Sequence, residues 1–264
     1  MVSGIIMATV VIGCVGLFVG LFLGIAAIKF RVEVNPKEEE VLSALPGNNC
    51  GGCGYPGCDG LAAAIAKGEA PVDGCPVGGA EVAQNIAAIM GVKLEQSVRK
   101  AAFVKCSGDC NVAKEDYKYS GITDCRMAAL VPNGGPKSCD YGCLGLGSCA
   151  KACEYNGISI VNGVAVIDRD KCKACGQCVA VCPKNLIEIR PVTGVANVVC
   201  SSKDKGKAVM DVCSVGCVGC TLCAKQCEVG AITMVDNIPV IDAEKCIGCG
   251  KCAEKCPKKI IHMS

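Results

Sequence analysis

Residues 172–183 read Cys172-Lys173-Ala174-Cys175-Gly176-Gln177-Cys178-Val179-Ala180-Val181-Cys182-Pro183, and residues 246–257 repeat the pattern as Cys246-x2-Cys249-x2-Cys252-x3-Cys256-Pro257. Cys217, Cys220, Cys223 and Cys227 keep the spacing without the proline. In such a run three thiolates hold one [4Fe–4S] cluster and the fourth reaches across to a second. Two other uses of cysteine fit less well. A disulfide framework belongs to short secreted chains, and no cleavable export signal is expected ahead of these cysteines. Zinc sites separate two CxxC pairs by a long loop, whereas these runs pack four thiolates into eleven residues.

The runs belong to a longer repeat. Adding 74 carries Cys139, Cys143, Cys149 and Cys153 onto Cys213, Cys217, Cys223 and Cys227, and Val166-Ile167-Asp168 onto Val240-Ile241-Asp242. Cys125 and Cys200 correspond within one residue. Two consecutive two-cluster modules follow, at 136–193 and 197–264. Each has a β-rich piece (158–167 and 231–241) and a short helix after each run, an α+β pattern. Leu146 stands where the second module has Cys220, so the first is expected to use Cys139, Cys143 and Cys149, with Cys182 returning as fourth ligand. The other expected sets are Cys172, Cys175, Cys178 with Cys153; Cys217, Cys220, Cys223 with Cys256; and Cys246, Cys249, Cys252 with Cys227.

Upstream, residues 45–95 form a glycine-rich domain with Cys50-x2-Cys53-x4-Cys58-x16-Cys75 as a further ligand set. Its glycines let backbone N–H groups approach cluster sulfurs. Helices are expected at 61–66 and 81–90. Residues 96–135 read as a connecting segment. Beyond the five sets, Cys106, Cys110, Cys125, Cys200 and Cys213 remain. A sixth cluster on Cys106, Cys110 and Cys125, with Cys200 or Cys213 as fourth ligand, is weighed against unligated thiols.

Residues 4–28 are uncharged and mostly apolar, longer than the roughly 20 residues that span a bilayer. Lys29 and Arg31 follow at once, so the positive-inside bias puts the cluster domains on the cytoplasmic side. Residues 1–28 are thus expected to be a transmembrane helix and 29–44 a tether. Gly16, Gly20 and Gly24 share one helix face that suits packing against another membrane helix, and Cys14 reads as a small helix residue.

Composition excludes much else. His262 is the only histidine and reads as a solvated residue rather than a ligand, so haem and His-based metal sites are poorly supplied. Tryptophan is absent and aromatics are 3%, which leaves no stacking platform for nucleic acid. No nucleophile–base constellation or phosphate loop stands out, so no catalytic residues are expected. The formal charge of +2 omits the clusters; at about −2 each, five would bring it to about −8. Lys245, Lys251, Lys255, Lys258 and Lys259 around the last run read as compensation for that charge or as a patch for an acidic soluble ferredoxin.

The order of these parts, with Asn49-Cys50-Gly51-Gly52-Cys53-Gly54-Tyr55-Pro56-Gly57-Cys58 and Cys139-Asp140-Tyr141-Gly142-Cys143-Leu144-Gly145, resembles the B subunits of Rnf complexes, in their longer form with two ferredoxin modules. The resemblance covers essentially the whole chain. It implies an electron-transfer subunit of an ion-translocating ferredoxin:NAD oxidoreductase in the cytoplasmic membrane. Electrons would enter from reduced ferredoxin and pass to membrane subunits of A and E type. The alternatives are a membrane-tethered polyferredoxin serving a hydrogenase or other reductase, and a cluster-storage protein.

Overall fold

The computed structural model describes residues 2–29, 35–94 and 98–264. Arg31 lies outside them. Helix α1 runs through Val2–Lys29, 28 residues whose only charge is Lys29. At 1.5 Å per residue it is about 42 Å long. Its large apolar side chains, Leu17, Phe18 and Phe22 among them, are exposed, and a Cβ added at Gly16, Gly20 or Gly24 would touch nothing. Among the described residues no helix is long and apolar enough to cross a membrane.

Helix α2 (Pro36–Ala44) starts at Asn35, whose Oδ1 accepts the Lys37 N–H, with Pro36 in the first turn where its missing donor costs nothing. Sequence reading gives these residues to a tether. The structure packs them into the glycine-rich domain: Val41 and Leu45 are buried with Leu61, Ile65 and Ile86. The last three come from α3 (Cys58–Ala66) and α4 (Gly79–Met90), and α4 stops at Gly91 in the left-handed region.

Beyond this domain the described residues form four two-stranded antiparallel sheets with short helices between them, a mixed α+β architecture. Two are tight hairpins. Strands β2 (Ile158–Val161) and β3 (Val164–Ile167) turn through Asn162-Gly163, both at positive φ. The other two sheets close each module with a strand from upstream. Strand β1 (Lys100–Val104) pairs with β4 (Ile187–Pro191), Ala102 opposite Ile189. Likewise β5 (Ala196–Val198) pairs with β8 (Ile261–Met263), Asn197 opposite His262, whose side chain is exposed. The hairpin of the second module is β6 (Ile232–Val235) with β7 (Ile238–Ile241).

This topology moves the start of the first module upstream of 136. Residues 100–104 are its first strand, with Ala102 and Val104 buried against Cys149, Cys178 and Ile187. Two residues beyond β1 lies Cys106, and two beyond β5 lies Cys200. These are structural equivalents, as Cys139 and Cys213 are. From Cys106 to Cys139 is 33 residues and from Cys200 to Cys213 only 13, so the first module carries a 20-residue insertion. The insertion folds back through α5 (Cys125–Ala128), which is capped by Asp124; its carboxylate accepts the Arg126 and Met127 N–H groups, chiefly the former, which holds it below the usual carboxylate range.

Candidate cluster-binding sites

Helix α3 begins at Cys58, whose N–H donates to Asn49 Oδ1 at 2.8 Å, fixing the 50–58 loop. Cys53, Cys58 and Cys75 share the core of this domain. Burial pushes the Cys75 thiol up, the Gly78 N–H on its Sγ at 3.4 Å works against this, and Cys58 and Cys53 lie close enough to push it further. The carbonyl of Cys50, at the edge of the loop, accepts from Gln177 Nε2 of the first module at 3.0 Å, and Cys50 is near enough to Cys175 to push its thiol up.

In that module Cys153, Cys172, Cys175 and Cys178 line one cavity. Cys172 Sγ accepts the Ala102 N–H from β1 at 3.3 Å, and Cys153 Sγ accepts that of Gly157 at 3.4 Å. Cys178 is buried in α7 (Gln177–Val181), and burial reinforced by Cys172, Cys175 and Cys153 pushes its thiol to about 11.

A second cavity is lined by Cys125, Cys143, Cys149 and Cys182. Cys149, in α6 (Ser148–Lys151), is pushed to about 12 by burial first and then by Cys143, Cys125 and Cys182. Sequence reading expects Cys139 in this set. The structure puts Cys125 there instead, because the insertion returns it beside Leu144 and Leu146. The residue missing at Leu146 is thus replaced from another part of the chain. Ser148 fixes the return: its Oγ accepts the Cys125 N–H at 2.7 Å and donates to Asp124 Oδ2 at 3.1 Å.

Cys139 lines a third cavity, with Cys106, Cys200 and Cys213. Burial, then Cys106, Cys200 and Cys213, pushes its thiol to about 11. Cys106 and Cys139 come from the first module, and their equivalents Cys200 and Cys213 from the second, so the site is a pseudo-symmetric seam between modules. The expected grouping of Cys106, Cys110 and Cys125 is not formed. Cys110 is exposed, its N–H donating to the Asn162 carbonyl, and Cys125 belongs to the second cavity.

In the second module Cys217 has Cys200, Cys223 and Cys256 as neighbours, burial pushing it to about 11, and Cys223 has Cys220 and Cys256. Cys252, in the first turn of α8 (Lys251–Glu254), has Cys246 and Cys249 as neighbours. Cys227 packs into the same core and accepts the Ala231 N–H at 3.3 Å. Of the lysines at the last run, Lys245 pairs with Asp242, Lys251 with Glu228, and Lys258 donates to the Ser214 carbonyl.

Among the described residues no three Cys, His, Asp or Glu side chains converge as they would on one ion. A [4Fe–4S] cube presents its irons at separate corners, so its ligands stand further apart than those of a single metal. The donors fit such a group. Most of these sulfurs are buried or half-buried, with Cys220 and Cys249 exposed, and backbone N–H groups reach the Sγ atoms of Cys75, Cys106, Cys153, Cys172, Cys182, Cys200 and Cys227, the partners a cluster thiolate takes. Successive groups of cysteines, most of them buried or half-buried and strung through small α+β modules, define an iron–sulfur electron-transfer protein of the polyferredoxin class.

The comparisons agree. Residues 45–77 match the model described as putative Fe-S cluster, and residues 171–231 and 216–260 match the 4Fe-4S dicluster domain. The chain is 43% identical over 246 residues to the B subunit of the Na(+)-translocating ferredoxin:NAD(+) oxidoreductase complex of Acetobacterium woodii, covering 93% of this chain and 74% of that one. It is 41% identical over 264 residues, the whole of both chains, to the B subunit of the ion-translocating oxidoreductase complex of Methanosarcina acetivorans. The chain belongs to this family, the B subunits of Rnf-type ion-translocating oxidoreductase complexes. It is an electron-transfer subunit with multiple [4Fe–4S] clusters, associated with a membrane complex whose other subunits are its partners. That membership decides against the hydrogenase-linked and storage alternatives.

Proposed function

We propose that this chain holds six [4Fe–4S] clusters, crosses the cytoplasmic membrane once through α1 with its cluster domains on the cytoplasmic side, accepts electrons from reduced ferredoxin, and delivers them to membrane subunits of A and E type. The ligand sets are Cys50, Cys53, Cys58 and Cys75; Cys153, Cys172, Cys175 and Cys178; Cys125, Cys143, Cys149 and Cys182; Cys106, Cys139, Cys200 and Cys213; Cys217, Cys220, Cys223 and Cys256; and Cys227, Cys246, Cys249 and Cys252.

The observation that carries the reading is three cavities each lined by four cysteines, with Cys110 lining none of them; sorting the other cysteines by spacing and neighbours into three further sets leaves only Cys14 and Cys110 of the 26. The clusters supply one-electron carriers of low potential. The protein holds the thiols out of water, aims N–H groups at them, and brings neighbouring ligand loops into contact. The length and apolar surface of α1 support the crossing, and the open face of Gly16, Gly20 and Gly24 suits a second membrane helix. Of the five lysines at the last run, Lys245 and Lys251 pair with the carboxylates of Asp242 and Glu228, which leaves fewer free charges for a docking patch there.

The test is iron and sulfide analysis of the chain purified with its membrane partners, together with reduction by ferredoxin. About 24 iron atoms per chain and full reduction are expected. A chain with about 12, or one that ferredoxin leaves oxidised, would refute the reading.

A further inference from the structure

Lys137 is the only buried charged side chain among the described residues, 3% exposed. Its ammonium donates to the carbonyl oxygens of Gly108 at 2.7 Å and Gly163 at 3.0 Å. No carboxylate pairs with it among the described residues. Two carbonyl dipoles satisfy its geometry but leave a full positive charge out of water, which is costly unless an opposite charge lies close by. What lies close by is the cavity of Cys106, Cys139, Cys200 and Cys213, which Lys137 lines. Four thiolates around an oxidised [4Fe–4S] core carry a net charge of about −2.

We propose that Lys137 is the built-in counter-charge of the quartet between the modules, and that it makes the cluster held there the most easily reduced of the chain, an electron well between the two modules. The proposal rests on the reading of Cys106, Cys139, Cys200 and Cys213 as ligands. A fixed positive charge in a low-dielectric site favours whichever state carries one more electron, and it does so most for the nearest site. Cys143 of the adjoining quartet also feels Lys137, but Lys137 does not line that cavity.

Among the described residues no other quartet has a buried cation. Lys184 and Lys173 line the other two cavities of the first module, but Lys184 is half-buried and Lys173 exposed, so water screens both. The position 74 residues after Lys137 is Asp211, so the second module does not duplicate the charge. The placement of Lys137 is firm: its backbone bridges to Glu115, and the Ser138 N–H donates to the Lys114 carbonyl at 2.9 Å. The insertion that carries Cys125 therefore also clamps the lysine.

The test uses the full chain with its clusters loaded, titrated with low-potential reductant and followed by electron paramagnetic resonance, with iron measured on each sample. The signal of the seam is the one missing from Cys106→Ser. In the wild type this signal is expected to appear first. Lys137→Gln is expected to make it harder to reduce by at least tenfold in its equilibrium constant, 59 mV for one electron, with a smaller change at the adjoining quartet, and Lys137→Arg to restore it. Loss of about four irons in Lys137→Gln with retention in Lys137→Arg also supports a counter-charge. The two variants behaving alike, both unshifted, both shifted or both losing iron, overturns it, as does a wild-type seam signal that appears no earlier than the others. If Cys106→Ser loses no iron, the ligand reading itself fails, whatever Lys137 does.

Discussion

The backbone N–H of Cys143 donates to the Sγ of Cys106 at 3.4 Å, and 74 residues later the N–H of Cys217 donates to the Sγ of Cys200 at 3.3 Å. Each bond joins a residue of a module's own quartet to a residue of the seam. The seam is therefore in contact with a quartet on either side. Further along, Gly52 lies against the Cys175 backbone and Gln177 Nε2 donates to the Cys50 carbonyl, so ligand loops touch from the glycine-rich domain through to the second module. The duplication supplies this arrangement, since equivalent cysteines of the two copies face each other across one cavity.

The insertion in the first module brings Cys125 into the cavity of Cys143, Cys149 and Cys182, and if it stands in for the cysteine absent at Leu146 the exchange should be reversible. Cys125→Ser is expected to cost about four irons per chain. Adding Leu146→Cys places a thiol where the second module has Cys220, and is expected to restore most of them. Iron analysis of the single and double variants checks this; a double variant no richer in iron than Cys125→Ser would count against the equivalence.

Gly52 marks the contact between the glycine-rich domain and the first module. A Cβ there would lie 2.5 Å from the Cys175 carbonyl oxygen, backbone against backbone. Gln177 Nε2 donates to the Cys50 carbonyl at 3.0 Å and Asn48 Nδ2 to the Tyr155 hydroxyl at 3.2 Å, holding the two faces together. Gly52→Ala is expected to weaken this docking by about 1–3 kcal/mol, an overpacking cost. Limited proteolysis should then separate the N-terminal part faster, while its own iron is retained. Unchanged cleavage would show that the two parts are not held by this contact.

Burial raises the thiols, from 9.0 to about 12 at Cys149 and about 11 at Cys139, Cys178 and Cys217. Protons therefore compete strongly with iron. Each quartet that empties near neutral pH takes up about four protons, so cluster loss is expected to speed as pH falls. The cluster-free fold has the opposite trend. Protonated thiols stabilise it fully below the ordinary value, and that stability is lost as pH rises from about 9 towards 11 or 12. Cluster absorbance against pH, and unfolding of the reduced cluster-free chain against pH, measure the two slopes; a flat response in both would contradict the burial argument.

Removing residues 2–29 is expected to release the chain from the membrane fraction without changing its iron, because α1 touches no cluster domain through Gly16, Gly20 or Gly24 and contributes no quartet cysteine. Fractionation without detergent and iron analysis check this. Truncated chain that stays with the membrane would place the attachment elsewhere.

What the sequence made legible follows from distance along the chain. The quartet of Cys153, Cys172, Cys175 and Cys178 can be read from spacing, since one loop and one helical turn bring the last three together. The hairpin at Asn162-Gly163 is equally local. The seam could not be read that way. A constant shift of 74 aligns Cys125 with Cys200, but the 20-residue insertion makes Cys106 the true counterpart, and only strand pairing of β1 with β4 and β5 with β8 reveals it. A fainter signal was present: Val104-Lys105-Cys106-Ser107 and Val198-Val199-Cys200-Ser201 share Val-x-Cys-Ser. Val41 shows the same limit from the other side, because a charged segment around it masks one buried contact that makes α2 part of a domain. Lys137 gave no sign at all, since burial of a lysine depends on what folds over it.

The most direct test of the account is iron counting on two paired variants. Cys106→Ser with Cys213→Ser removes two ligands of one quartet, and is expected to cost about four irons per chain, the same as either change alone. Cys106→Ser with Cys125→Ser strikes two quartets, and is expected to cost about eight. A loss of only about four in the second pair would put Cys106 and Cys125 on one cluster and contradict the seam between the modules.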